Sequence, residues 1–102
     1  MKAHDAVETL TGLAQETRLN IFRELVRAAT PDGSGGLTPS VLSQKLDIPS
    51  PTLSFHLKEL TRAGLVTSTR HGRSLNYAAN ISCMQALIAF LMEDCCKDSQ
   101  NG

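Results

Sequence analysis

A mainly α-helical domain carrying one β-hairpin is the fold that three features of the 102-residue chain predict. Apolar residues recur at helical spacing along most of its length. Two proline-marked helix starts, Thr38-Pro39 and Ser50-Pro51, lie one short helix apart, and two β-prone runs flank Arg70-His71-Gly72-Arg73. The length is that of a single domain. Hydrophobic residues at 41 % and charged residues at 20 % are ordinary globular usage, which excludes a disordered, collagenous or disulfide-packed chain.

Taken in order, Ala3, Val7, Leu10 and Leu13 mark a short amphipathic helix, and Leu19, Phe22, Leu25, Val26 and Ala29 mark a stronger second one. Thr30 to Gly36, TPDGSGG, reads as a connector. Its three glycines do not make a phosphate cradle, because no strand precedes them and no Lys-Ser/Thr follows. Thr38 is the expected N-cap of a third helix, with Pro39 at its first position and Val41, Leu42 and Leu46 as its apolar stripe. Asp47-Ile48-Pro49 breaks that helix; Ser50-Pro51 repeats the cap signal, and Leu53, Leu57 and Leu60 carry a fourth helix to Ala63-Gly64. Two short capped helices joined by a tight turn are the helix-turn-helix layout, whose second helix enters the DNA major groove. Leu65–Thr69 and Ser74–Ala78 then predict a hairpin with His71-Gly72 at its tip. From Ile81 to Met92 only Ser82 and Gln85 are polar, so this last helix is expected to be buried all round. In so small a domain a second copy of the chain is the simplest cover, which predicts a homodimer through the first and last helices.

Basic and acidic residues balance at ten each, yet residues 51–80 hold four basic side chains against one acidic. Lys58, Arg62, Arg70 and Arg73 are therefore either phosphate contacts or an ordinary solvated face. Around the outer faces of the fourth helix stand Ser50, Thr52, Ser54, Phe55, His56, Lys58 and Arg62. Small hydroxyls near a helix start suit phosphates and base edges. Phe55 either meets a thymine methyl or packs on the neighbouring helix, and His56 either donates to DNA or closes an internal hydrogen bond. Arg70, His71 and Arg73, at the hairpin, are expected to touch phosphates or the minor groove.

Other classes find less support. No apolar stretch approaches the roughly 20 residues of a membrane span, the acidic N-terminal segment gives no secretory signal, and three cysteines fit a reducing compartment. A cytoplasmic location with no membrane partner is expected. Nothing resembles a nucleophile elbow, a Cys-x-x-Cys motif or a carboxylate pair, so an enzyme is not expected.

The runs LAQETRLNIFRELV, SQKLDIPSPTLSFHLKELTRAGLV and GRSLNYA resemble the ArsR/SmtB family of metal-responsive repressors over roughly residues 5–92. That resemblance implies a winged helix-turn-helix fold and a homodimer that holds a palindromic double-stranded operator and releases it on binding a metal or metalloid. It favours a place for His56 near DNA. It also implies that residues 1–94 form the DNA-binding and dimerisation domain and 95–102 a separate tail. Many arsenic-responsive relatives carry Cys-x-Cys-x-x-Cys where this chain has Thr38, Ser40 and Ser43, and the last helix lacks the carboxylates and histidines of the zinc-sensing type. What remains for sensing is Cys95-Cys96. Adjacent thiols close only a strained disulfide but chelate soft centres well, so As(III), Sb(III) or an organoarsenical is the expected inducer, and no cofactor is required. Cys83 lies twelve residues earlier, about 18 Å along a helix, and is either a third ligand reached across a dimer seam or a small core residue. A thiol-based redox sensor on the same fold, or a domain whose basic face meets protein, is the alternative.

Overall fold

The computed structural model describes residues 1–96. Seven elements follow in order: α1 (Ala3–Leu13), α2 (Glu16–Arg27), α3 (Pro39–Leu46), α4 (Ser50–Arg62), β1 (Val66–His71), β2 (Ser74–Ala79) and α5 (Ile81–Met92). This is a winged helix-turn-helix, as the spacing of apolar residues predicts. None of the described helices is long and apolar enough to cross a membrane.

One cluster joins the elements. Ile21, Phe22 and Leu25 of α2, Leu42 of α3 and Leu53, Leu57 and Leu60 of α4 are buried together with Leu65 and Val66. Each such side chain contributes about 1.5–3 kcal/mol on leaving water. Thr38 caps α3 by accepting from the Val41 N–H at 3.4 Å. The helix ends on Asp47, held at a left-handed φ of 53°. There the Ile48 N–H returns to the Ser43 carbonyl at 3.1 Å and the Ser43 hydroxyl donates to the Ile48 carbonyl at 2.5 Å. Those two bonds fix the angle at which α4 leaves α3.

Three local expectations are corrected. Ser50 is the first residue of α4 and not its cap: Pro49 holds that place, with no side-chain cap bond, and Pro51 takes the second position. The hairpin tip lies one residue later than expected, because His71 pairs with Ser74 and leaves Gly72-Arg73 as the two-residue loop. Gly72 takes φ +62° there, a conformation glycine adopts without penalty. The inward face of α1 is Ala6 and Thr9, while Val7 and Leu10 stay exposed. Small residues face inward because α1 runs tight against the end of α4: a Cβ added at Gly12 would overlap the Ala63 Cβ.

Two features went unread in the sequence. Leu37 pairs with Tyr77 through bonds of 2.8 and 2.9 Å, an isolated antiparallel bridge beside the two-stranded hairpin. The connector is also built: Asp32 accepts from the Thr30 and Ser34 hydroxyls and from the Ser34 N–H. These bonds, Thr30 first, hold its carboxyl down at about 2 from the usual 3.8.

The last helix is apolar on nearly every side, as its sequence predicts. Asn80 caps α5 by accepting from the Cys83 N–H and ties it to the α4–β1 corner by donating to the Gly64 carbonyl. Within one chain, however, Leu87 is its sole buried residue, and Ile81, Ile88, Leu91 and Met92 are exposed.

The tight α1–α4 contact predicts that Gly12→Ala loses about 1–3 kcal/mol of stability through overpacking. Adding Ala63→Gly removes the opposing methyl and should recover most of the loss in urea denaturation; an additive double variant would show that the contact is not the cause.

Candidate nucleic-acid interface

The second helix of the motif presents two faces set by its leucines. With Leu53, Leu57 and Leu60 buried against α2 and α3, the opposite side carries Pro51, Phe55, Lys58 and Arg62, all exposed. Its first turn has no side-chain cap, so outward N–H groups there remain for water or for a phosphate oxygen.

The hairpin brings its own cations alongside. A groove of about 530 Å3 between α4 and the sheet is lined by Ser54, Lys58, Thr61 and Arg62 from the helix and by Ser68 and Tyr77 from the strands. A second, of about 480 Å3, lies between the start of α3 and the hairpin, with Thr38 and Ser40 facing Arg70, Arg73 and Ser74. The cations of the basic stretch thus meet hydroxyls from three elements. Thr61 and Ser68 were not singled out from the sequence, and Thr38 and Ser40 were named there for other reasons; only their register beside the cations marks them for this surface.

Other expected residues stand apart. Ser50 and Thr52 are exposed on the first turn of α4 but line neither groove, and His71 is exposed on β1. Phe55 is 55 % exposed. Its ring meets that of His56 of its own helix edge-on, at 5.6 Å.

His56 is the clear correction. It is 8 % exposed and belongs to the buried face of α4, not to the outer one. Helical spacing already indicates this, since residue 56 lies three after Leu53 and four before Leu60. Its Nδ1 is buried without a hydrogen-bond partner, as is the Nε of Arg18. Burial first, and then the Arg18 charge, push the imidazole below its ordinary pKa of 6.5.

The cysteines fall in two places. Cys83 is half-buried on α5, its Sγ 3.9 Å from the Thr9 hydroxyl. Cys95 and Cys96 are exposed just past α5, with their sulfurs 2.8 Å apart, and this contact raises the Cys95 thiol above its usual pKa. Among the described residues no three His, Cys, Asp or Glu side chains are placed to hold one metal ion. The expected tail extends to residue 102, and its residues 97–102 lie outside those described.

A helix-turn-helix with a cation-bearing wing defines the class: a DNA-binding domain of the winged type. The chain belongs to the helix-turn-helix domain family, which matches residues 13–69. No curated protein sequence matches it. Among solved structures it is similar to an ArsR-like transcriptional regulator from Rhodococcus sp. RHA1, at 23 % identity over 96 % of this chain and 86 % of that one, with a TM-score of 0.77. It is similar also to a possible transcriptional regulator for arsenical resistance, at 28 % identity over 85 % and 86 % with a TM-score of 0.64. A third is the homodimeric winged helix-turn-helix DNA-binding domain of Mb0332 from Mycobacterium bovis, a possible ArsR-family transcriptional regulator, at 19 % identity over 87 % and 77 % with a TM-score of 0.69. These relatives are transcription regulators and not enzymes.

Burial of His56 has a signed consequence. A pKa held below 6.5 in the folded chain means the unfolded state binds the extra proton on acidification, so stability present above pH 6.5 is lost as pH falls below it. The urea midpoint of the wild type should fall between pH 7.5 and 5.5 by more than that of His56→Leu; equal falls would show that His56 does not carry the effect.

Proposed function

We propose that two copies of this chain form a cytoplasmic repressor of the ArsR type that holds a palindromic duplex operator and releases it when a trivalent arsenical, or Sb(III), binds Cys95 and Cys96. The observation that carries the DNA reading is the shared surface of α4 and the wing. Lys58, Arg62, Arg70 and Arg73 are all exposed there, next to hydroxyls and without a carboxylate lining either groove. Such groups fix the protein on the phosphate backbone, and α4 is left to read base edges. Phe55 supplies an apolar group to that face, and the thymine 5-methyl is the apolar partner the major groove offers.

The dimer reading rests on the uncovered apolar residues. Val7 and Leu10 on α1 and Ile88, Leu91 and Met92 on α5 have no partner surface in one chain, and a two-fold pairing covers them while giving two recognition helices to a palindrome. The Mb0332 domain, of the same fold, is homodimeric.

The inducer reading rests on the thiol pair. Each Cys–SH replaces one hydroxide on the arsenic, forming an As–S bond and releasing one water, so two thiols convert a monosubstituted arsonous acid to a neutral adduct without any oxidant. Sulfurs 2.8 Å apart and exposed are reachable for that exchange. Cys83 is engaged with Thr9 instead, which supports its reading as a core residue and favours an organoarsenical, which needs only two thiols, over arsenite. An adduct at the end of α5 acts on the seam and moves the recognition helices off the roughly 34–36 Å spacing of successive major grooves.

The test uses duplexes selected by the protein from a random pool. Phenylarsonous acid should release the wild type at lower concentration than arsenite, while a variant with Cys95→Ser and Cys96→Ser binds the duplex equally and stays bound; release of that variant would overturn the sensor, and binding without steep salt dependence would overturn the DNA reading. On the same duplexes, replacing thymine by deoxyuridine should weaken the wild type by roughly 5–10-fold at one position per half-site, the scale of a lost apolar base contact. Phe55→Ala should not sense that replacement. A methyl effect that survives in the variant would remove Phe55 from base reading.

A further inference from the structure

The described residues contain two buried side-chain nitrogens without a hydrogen-bond partner, Arg18 Nε and His56 Nδ1, and they lie close enough to interact electrostatically. Orphan groups of this kind are rare in folded proteins. Arg18 also lines a cavity of about 400 Å3 between α1, the start of α2 and the end of α4. It has no ion pair among the described residues, although a guanidinium taken partly out of water is normally paired. The other charges on the wall already have partners: Arg62 is 3.5 Å from Glu59, and Glu8 is 3.3 Å from His4. The remaining wall is Val7, Gly12 and Ala63 with the Thr11 side chain.

We propose that this cavity binds a small monocarboxylate with an apolar body, its carboxylate on the Arg18 guanidinium and its body against Val7 and Ala63. A carboxylate matches the guanidinium fork and supplies the missing counter-charge. Glu8 and Glu59 on the same wall repel a second negative charge, which disfavours dianions such as phosphate. An uncharged analogue leaves Arg18 as it is and gains only the apolar contact. Arg62 lines both this cavity and the groove beside Lys58, and Val7 belongs to the exposed face of α1. Occupancy therefore weakens duplex binding, a consequence that rests on the DNA reading above, whereas the site itself does not.

The probe is benzoate, titrated into the 15N-labelled full chain and followed through backbone amide and arginine Nε–H signals, with benzamide and inorganic phosphate as controls. Benzoate should give saturable shifts at Thr11, Gly12 and the Arg18 Nε–H, and neither control should. Arg18→Met should abolish the shifts without lowering the melting temperature, since it removes an uncompensated charge and keeps the apolar stem. Thr11→Trp, at an exposed rim position outside the apolar face assigned to the dimer, should abolish the shifts at Gly12 and Arg18 by filling the mouth. Absence of saturable shifts, an equal response to benzamide, a stronger response to phosphate, or shifts that persist in both variants would each overturn the site. Intact shifts with unchanged duplex affinity would overturn the coupling alone.

Discussion

Everything in this domain hangs on one buried stripe of leucines. Leu53, Leu57 and Leu60 on α4 are sealed against Ile21, Phe22 and Leu25 of α2 and Leu42 of α3. Their burial, at about 1.5–3 kcal/mol each, is what lets α4 leave its other side in water. A helix held from one face by apolar contact alone can carry cations, hydroxyls and even an aromatic ring on the opposite face at little cost to stability. The DNA-facing surface thus exists because the core does not need those positions, and the wing joins it because Leu65 and Val66 continue the same core into β1.

Polar side chains at the joints do structural work that competes with sensing. Thr38 caps α3 and Ser43 closes the turn into α4, two of the three places where arsenic-responsive relatives carry cysteines. A thiol at either position is a poorer acceptor and donor than a hydroxyl. Within this chain, the hydroxyls fix the angle between the motif helices and leave thiol chemistry to the end of α5. In the proposed repressor that division separates the reading head from the sensing end, and the link between them passes through the packing of α1 and α5.

Much of this was legible in the sequence, for a physical reason that differs by element. Helices α2 to α4 follow from apolar spacing because Phe22, Leu25, Leu42, Leu53, Leu57 and Leu60 meet other residues of the same chain, although Leu19, Val26 and Val41 of the same patterns stay exposed. The hairpin was legible from its β-prone runs, though not its exact tip, since His71 and Arg73 both tolerate a strand end and only the pairing of His71 with Ser74 decides. Helix α1 was legible as a helix but not in its inward face, because spacing rewards large apolar residues, whereas Thr9 and Gly12 meet Ala63 and the small Ala6 is buried. His56 shows the converse error. A polar residue type was set outside although its helical position lies with the leucines. The Leu37–Tyr77 bridge and the Arg18 cavity depend on residues far apart in sequence, and no local pattern encodes them.

In the proposed repressor the uncovered face of α5 is what gives the tail thiols leverage. A ligand shifts an equilibrium only by the difference in its affinity for the two states, and a tail in water binds equally well whatever the domain does. Cys95 and Cys96 follow directly on a helix whose Ile88, Leu91 and Met92 are exposed in the single chain. If that face is the seam, an adduct beside it meets two different surroundings, one in each packing of the two subunits. Coupling energies of about 1–3 kcal/mol are typical of such linkage, comparable to covering or uncovering a single Leu91 or Met92 side chain. A repressor built this way needs no large rearrangement of its reading head, because changing the contact of one or two side chains at the end of α5 is enough to set whether two rigid α4 helices match the spacing of the DNA.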